Sequence, residues 1–303
     1  MGPEISDLIV RHDPVSLARI PVRRDDVVDT LLAHHNAEAA ALVQAMPATD
    51  GVLDAAAVDG LLIRAHSELQ RLHEEFQHGR RVVRLLRPLI AAIREVHPGA
   101  PVRVVDVGCG LGYVVRWLAA SGALGPDVDL VGCDFNTALI AGAQALAAEE
   151  QLPCRFVVGN AFAMATPATI HLSTGVVHHF RNDALVDFFA AQAGPENRAF
   201  VHYDITPTWA APVGAWLFHK ARMRQPLARH DGILSARRAH SNTTLVQAAK
   251  SAAPGMAIGL FEPPHPLLPM LRVLRPVVGV QPALVGPLKA ALGPLSRGLV
   301  GFP

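Results

Sequence analysis

The stretch Val102–Tyr113, reading VRVVDVGCGLGY, constrains the fold more than any other part of the chain. Its β-branched run (Val102, Val104, Val105, Val107) suits a strand buried on both faces of a parallel sheet. The strand breaks into Gly108-Cys109-Gly110-Leu111-Gly112, and an apolar helical pattern resumes over Tyr113–Ala120. Strand, glycine turn and helix together gather backbone N–H groups and a helix N-terminus around one crevice. Glycine is needed there because the turn is tight and a Cβ would block close approach of a ligand.

The same order recurs downstream. Val128–Asp134 is a second apolar strand ending in a carboxylate, about twenty residues beyond the turn, where a neighbouring strand end reaches ribose hydroxyls. Cys154–Val158 is a third strand and runs into Gly159-Asn160-Ala161. Ile170–Thr174 is a fourth, followed by Gly175-Val176-Val177-His178-His179-Phe180, and Ala199–Tyr203 is a fifth, ending in Asp204. Polar residues thus collect at strand C-terminal ends, where open α/β sheets bind ligands.

The spacing G-x-G-x-G departs from the dinucleotide fingerprint G-x-G-x-x-G. Asp106-x-Gly108-x-Gly110-x-Gly112, with Asp134 after the next strand, resembles the first two motifs of the class I S-adenosylmethionine-dependent methyltransferases of the small-molecule type. The resemblance runs over roughly Arg94 to Arg275. It implies a doubly wound, mainly parallel, seven-stranded Rossmann-like α/β sheet, with S-adenosyl-L-methionine as cofactor and S-adenosyl-L-homocysteine as product. By the same resemblance Asp106, Gly108 and Gly110 surround the methionine part, Cys109 and Gly112 belong to the same cofactor-binding turn, and Asp134 takes the ribose hydroxyls. Phe135 flanks adenine, Asn160 and Ala161 touch its edge, and Ser173, Thr174 and Gly175 line the pocket. Asn160 stands where the family usually has Asp; its amide oxygen can still accept a hydrogen bond.

A sulfonium methyl group is already electrophilic, so the protein mainly aligns an acceptor and removes its proton. Histidine titrates near neutrality and suits that work. His179 is the first choice for such a base and His178 the second, their side chains expected to diverge; His202 and His171 are nearby. Asp204 is expected to orient a histidine or the acceptor. No acidic metal cluster shows in the spacing, so no metal is expected.

Residues 1–98 read as a helical cap, 99–276 as the sheet domain and 277–303 as an apolar tail broken by proline and glycine. Within the cap, an extended lead-in to residue 24 precedes helices over Asp25–Met46 and Asp54–His78, the latter ended by Gly79. A further helix opens at Pro88. The cap's long helix carries a stripe of Leu62, Ala65, Leu69, Leu72 and Phe76, with His66 on the polar face. Beyond the fifth strand, Trp209–Met223 reads as helix, Arg224–Arg238 as a basic loop and Asn242–Ala252 as helix. A last hairpin follows, from Met256–Phe261 and Pro269–Arg275. Arg80 and Arg81 could meet a carboxylate of cofactor or substrate, or lie solvated. The tail could dock on the sheet, another subunit or a membrane surface.

A formal net charge of +1 and 5% aromatic residues argue against nucleic acid as partner, leaving a small-molecule substrate. A homo-oligomer stays open. Cys109, Cys133 and Cys154 make no disulfide framework and suggest a reducing, cytoplasmic setting. No apolar run reaches the roughly 18 residues of a membrane span. Two other function classes remain: a cofactor-consuming cyclase or lyase without external acceptor, and a non-catalytic scaffold subunit.

Overall fold

A computed structural model describes residues 2–208, 211–262 and 274–302. Eight strands form one sheet: β1 (Val102–Val107), β2 (Val128–Asp134), β3 (Arg155–Val158), β4 (Ile170–Thr174), β5 (Ala199–Ile205), β6 (Ala257–Phe261), β7 (Leu274–Val280) and β8 (Leu299–Val300). Their order is β8-β6-β7-β5-β4-β1-β2-β3. The run β5-β4-β1-β2-β3 is parallel, whereas β7 lies antiparallel to β5 and to β6. The order reverses at β1 and β4, so the crevice beyond their C-terminal ends lies between connections that leave in opposite directions.

The expected count of seven strands becomes eight because the tail supplies an edge strand. Leu299 and Val300 pair with Phe261 and Leu260 and cover the outer side of β6. Ahead of β8, helix α12 (Val285–Leu292) packs against the cap, burying Leu284, Leu288 and Leu292. The last hairpin is shifted from its expected register: β7 begins at Leu274 and continues to Val280, so Val277 is sheet core and not tail. Residues 269–273 of the expected strand and Trp209 lie outside the described residues.

Numbering from the N-terminus, the helices before the sheet are α1 (Ile5–Ile9), α2 (Arg24–Ala33), α3 (Ala37–Gln44), α4 (Ala55–Glu75) and α5 (His78–Val96). The lead-in is therefore not loosely extended. Ile5 and Ile9 are completely enclosed, and the Ile5 and Ser6 N–H groups donate to the Asp231 carboxylate at 2.9 Å each. The expected helix over 25–46 is two helices, because His35 takes φ +56° and Asn36 starts a new turn by accepting from the Ala39 N–H.

Helix α5 starts at His78, so neither Gly79 nor Pro88 sits at a helix boundary as expected. Gln77 at φ +52° makes the break between α4 and α5. Proline at position 88 is tolerated because the carbonyl it leaves unpaired, four residues back at Arg84, is on an exposed residue. Gly79 is required by packing: a Cβ there would lie 2.2 Å from the Trp117 ring. Gly79→Ala should cost about 1–3 kcal/mol through overpacking, read as a lowered Tm with an unchanged circular-dichroism spectrum.

After the sheet begins, α6 (Tyr113–Ser121), α7 (Thr137–Glu149) and α8 (Asp183–Ala190) follow β1, β2 and β4. Asn136 caps α7 by accepting from the Ala138 and Leu139 N–H groups at 2.9 and 3.1 Å. Downstream lie α9 (Ala211–Arg222), α10 (Pro226–Arg238) and α11 (Asn242–Ala252). The expected basic loop is thus helix α10, opened by Pro226 and buried through Leu227, Ala228 and Leu234. Its cap-facing side also carries Asp231 and Arg238, both buried. Helix α11 is capped by Ser241, whose side chain accepts from the Thr244 N–H. Among the described residues no helix is long and apolar enough to cross a membrane.

Candidate active site

The glycine turn is built by three left-handed residues. Gly108, Gly110 and Gly112 sit at φ +70°, +54° and +70°, which L side chains rarely adopt. The Gly108 N–H donates to the Cys133 carbonyl at 2.8 Å, and the Gly110 N–H donates to Asp134 Oδ2 at 2.9 Å. The other Asp134 oxygen accepts from the Asn136 N–H at 2.9 Å. Asp134 therefore ties the end of β2 to the neighbouring turn as well as facing the crevice.

Above this turn lies a cavity of about 590 Å³. Asp106, Gly108, Cys109, Gly110, Asp134, Phe135, Asn160, Ala161, Thr174, Gly175, His178 and His179 all line it. Gly112 and Ser173 do not line it. A Cβ on Gly112 would strike Phe156 at 2.2 Å, so that glycine serves helix-to-sheet packing. Ser173 turns into the core, where its hydroxyl meets His202 Nδ1 at 2.9 Å. Asn160 is already engaged: its Nδ2 donates to the Pro14 carbonyl and its Oδ1 accepts from the Phe162 N–H. Arg80 and Arg81 stay outside the cavity, with Arg81 Nε donating to the Phe76 carbonyl.

Asp106 stands beneath the turn, buried, with Oδ1 lacking any hydrogen-bond partner among the described residues. Burial, reinforced by nearby Asp134, pushes its carboxyl up to about 8. A buried acceptor without a partner, facing a cavity, is the kind of group that a ligand completes. The thiols are not nucleophiles: burial raises Cys109 well above its ordinary range and Cys133 to about 12.

The cap forms the opposite wall. Leu62, Ala65, Leu69 and Leu72 of α4 line the cavity, as do His66, Gln70 and His73 of the same helix. His66 is not on a solvated face, since its Nδ1 lies 2.5 Å from where a Cβ on Gly110 would be. Burial holds His73 down to about 4 and His78 well below its usual range. Among the described residues, buried His73 Nδ1 and both His78 ring nitrogens lack hydrogen-bond partners. Sequence inspection passed over His73 and His78. The spacing 66-70-73 was the available signal, because residues four and three apart share one helix face.

The four histidines near β4 and β5 divide into two pairs. His171 and His202 are core groups, held by burial to about 4 and about 3. His202 sits among Phe188, Phe189 and Phe200. His178 and His179 do not diverge: their rings lie 4.4 Å apart at 33°, both against the N-terminal segment. Asp204 Oδ1 is 2.9 Å from His178 Nδ1, and Asp204 Oδ2 accepts the His178 N–H at 2.7 Å. Burial would raise the Asp204 carboxyl, but His178 and the backbone N–H groups outweigh it and hold it below its usual range. His179 Nδ1 is 2.9 Å from Asp7 Oδ1. Burial of Asp7 is likewise overcome, by His179 and Arg238, which bring it down to about 2.

Between the two rings comes Glu4, only 2% exposed. Burial pushes its carboxyl up to about 7, against the opposing pull of His179. Glu4, Asp7, His12 and Pro14 all line the cavity, although nothing in the sequence tied that segment to a site. His12 meets the half-exposed Phe135 ring edge-on at 5.0 Å between centroids.

Residues 104–193 match the family described as a methyltransferase domain. A search of curated proteins returns no match to the chain. Among solved structures, the citrinin polyketide synthase CMeT domain is 20% identical over 61% of this chain, with a TM-score of 0.43; the alignment spans 48% of that chain. The magnesium protoporphyrin IX methyltransferase of Synechocystis, solved with S-adenosylhomocysteine, is 16% identical over 77% of this chain and 90% of its own, with a TM-score of 0.46. The plantazolicin methyltransferase BpumL is 13% identical over 74% and 95%, with a TM-score of 0.47. Residues 104–193, under a third of the chain, are therefore similar to a methyltransferase domain.

Proposed function

We propose that this protein transfers a methyl group from S-adenosylmethionine to a small molecule bound in the same cavity. One observation carries the reading: a single cavity joins the glycine turn at one end to two carboxylate-held histidines at the other. In the reaction the acceptor's electron pair forms the new bond to the methyl carbon while the carbon–sulfur bond breaks. That bond pair stays on sulfur, leaving the neutral thioether of S-adenosylhomocysteine. Where the acceptor carries a proton, a base takes it. His179 is the better placed base: it is half-buried at the cavity wall and Asp7 fixes its Nδ1, leaving Nε2 to accept. His178 is sandwiched between Asp204 and Glu4. The α4 and α1 segments close over the cavity and favour a small acceptor over a polymer.

Calorimetric titration with S-adenosylmethionine and S-adenosylhomocysteine tests the cofactor. Micromolar binding by the native chain, lost in Asp134→Ala, is the expected result; a folded chain that binds neither sinks the reading. Product analysis then separates methyl transfer from cyclisation, since a cyclase releases methylthioadenosine in place of S-adenosylhomocysteine.

The raised Asp106 carboxyl adds a pH signature. A cationic sulfonium ligand prefers the ionised carboxylate, so below about 8 a proton must leave before binding. Affinity for S-adenosylmethionine should therefore fall by up to about tenfold per pH unit as pH drops below that value, and level off above it. In Asp106→Asn the slope should vanish. A flat profile in the native protein would show that Asp106 does not face the cofactor's charge.

A further inference from the structure

Three side chains with metal-binding chemistry meet at the acceptor end of the cavity, from segments far apart in sequence. One ligand atom each from Glu4, His178 and His179 lies within 4.8 Å of the others. We propose that these three residues form a site for a divalent transition-metal ion of the zinc, manganese or iron(II) class. The ion's role toward an acceptor rests on the methyl-transfer reading; its binding does not.

Geometry is the first support. Glu4 Oε1 stands 3.9 Å from His178 Nε2, and Glu4 Oε2 stands 3.7 Å from His179 Nδ1. Atoms that share one ion at about 2.1 Å lie roughly 3.0–3.4 Å apart in an octahedral or tetrahedral shell. Shortening the two Glu4 contacts by up to about 1 Å, with the ring nitrogens already within 4.8 Å of each other, would close the set.

Donor chemistry is the second. Two imidazoles with one carboxylate suit zinc, iron(II) or manganese, whereas magnesium and calcium prefer oxygen alone. His178 already has a carboxylate behind it, since Asp204 holds Nδ1 while Nε2 faces Glu4; Asp7 meets the same His179 Nδ1 that faces Glu4, and an ion there would take that contact over. Carboxylates placed as Asp204 is fix ring orientation and raise ligand basicity at metal centres. Asp7 Oδ1 is also close enough to His179 to become a fourth ligand itself.

Charge balance is the third. Four carboxylates converge here: Glu4, Asp7, Asp204 and Asp231, the last near Glu4. They face two guanidiniums, Arg238 and Arg181. Leaving the imidazoles aside, the deficit equals the charge of one divalent cation. Arg238 holds Glu4 Oε1 at 3.4 Å and Asp7 Oδ2 at 2.6 Å, so Glu4 Oε2 and Asp7 Oδ1 remain on the histidine side.

Three protein ligands on the cavity wall leave open positions toward its interior, the arrangement of a site that binds a further molecule. An acceptor with two neighbouring oxygens, such as a catechol or an α-hydroxy acid, would chelate there. His179 is then a ligand in the loaded protein and a base only in the ion-free one.

The test uses the full chain, stripped with a chelator and titrated separately with cobalt(II) and zinc(II). The expected result is about one ion per chain, with visible cobalt absorption of an imidazole-containing site. Glu4→Gln and His179→Ala should each weaken uptake at least about tenfold, and Asp204→Asn by about 10–100-fold. All three should still bind S-adenosylhomocysteine. A native chain that binds S-adenosylhomocysteine yet shows no cobalt spectrum overturns the metal site by itself, whatever the variants do. Equal uptake by folded Glu4→Gln and His179→Ala overturns it too. Metal uptake without cofactor binding would keep the site and remove the methyl-transfer reading.

Discussion

Gly110→Val should reduce affinity for S-adenosylmethionine by at least about 100-fold, roughly 3 kcal/mol, in a chain that still folds. Two costs act at one atom. Gly110 has φ +54°, a conformation that costs an L residue about 1–2 kcal/mol and a β-branched one more. Its new Cβ would also meet His66 Nδ1 at 2.5 Å, and that imidazole belongs to the cap wall and cannot swing to solvent without opening α4. Relief of either cost moves the turn, and with it the Gly110 N–H bond to Asp134. Gly122→Ala is the matching control. It has φ +57° but nothing within 4 Å of the added atom, and it does not line the cavity. It should lower Tm through backbone strain and leave binding unchanged. Native-like affinity in folded Gly110→Val would remove the turn from the cofactor site.

Asp204→Asn should lower turnover by about 10²–10⁴-fold, by analogy with the loss of an orienting carboxylate elsewhere, with a smaller change in acceptor KM. Asp204 accepts from the His178 N–H and the Ile205 N–H, and it holds the His178 ring through Nδ1. An amide has one acceptor oxygen where the carboxylate has two, and its NH₂ would turn a donor toward groups that donate. The His178 ring then loses its fixed tautomer and orientation, whether it assists a base or ligates an ion. Asp204 is a positioning residue, so a readout beyond activity is needed. Ring-nitrogen NMR shifts should show the His178 tautomer no longer fixed in the variant, because the acceptor at Nδ1 is gone. An unchanged tautomer together with lost turnover would point to a purely structural effect. Asp204→Ala should add about 3–5 kcal/mol of destabilisation, since a buried pair loses one member.

The sheet and the glycine-turn end of the cavity were legible because their signals are local. The run from Val102 through Gly112 carries strand, turn and helix start within a dozen residues, and Asp134 closes the next strand. Asn136 announces its helix by the cap it forms with the Ala138 and Leu139 N–H groups. Local signals misled where packing decided. Gly79 reads as a helix stop but sits inside α5, since Trp117 requires a position without a side chain. The segment Arg224–Arg238 reads as a basic loop, yet it is α10, whose Leu227, Ala228 and Leu234 find a buried face. His178 and His179 were expected to diverge, as neighbours on a strand do; they lie in a single 3₁₀ turn, which keeps both rings on one side.

By itself, then, the sequence determined the order of the parallel strands' chemistry: a glycine turn after β1, a carboxylate after β2, and histidines after β4. Each depends on residues only a few positions apart, and backbone preference acts at that range. Only the tertiary structure decided what faces them. His66 and His73 belong to the cavity because α4 lies over the glycine turn. Glu4 and Asp7 belong to it because a short N-terminal helix is pinned by the Asp231 carboxylate, more than 220 residues away. Burial and charge pairing across such distances are set by how whole elements pack, and no local pattern of residue types encodes them.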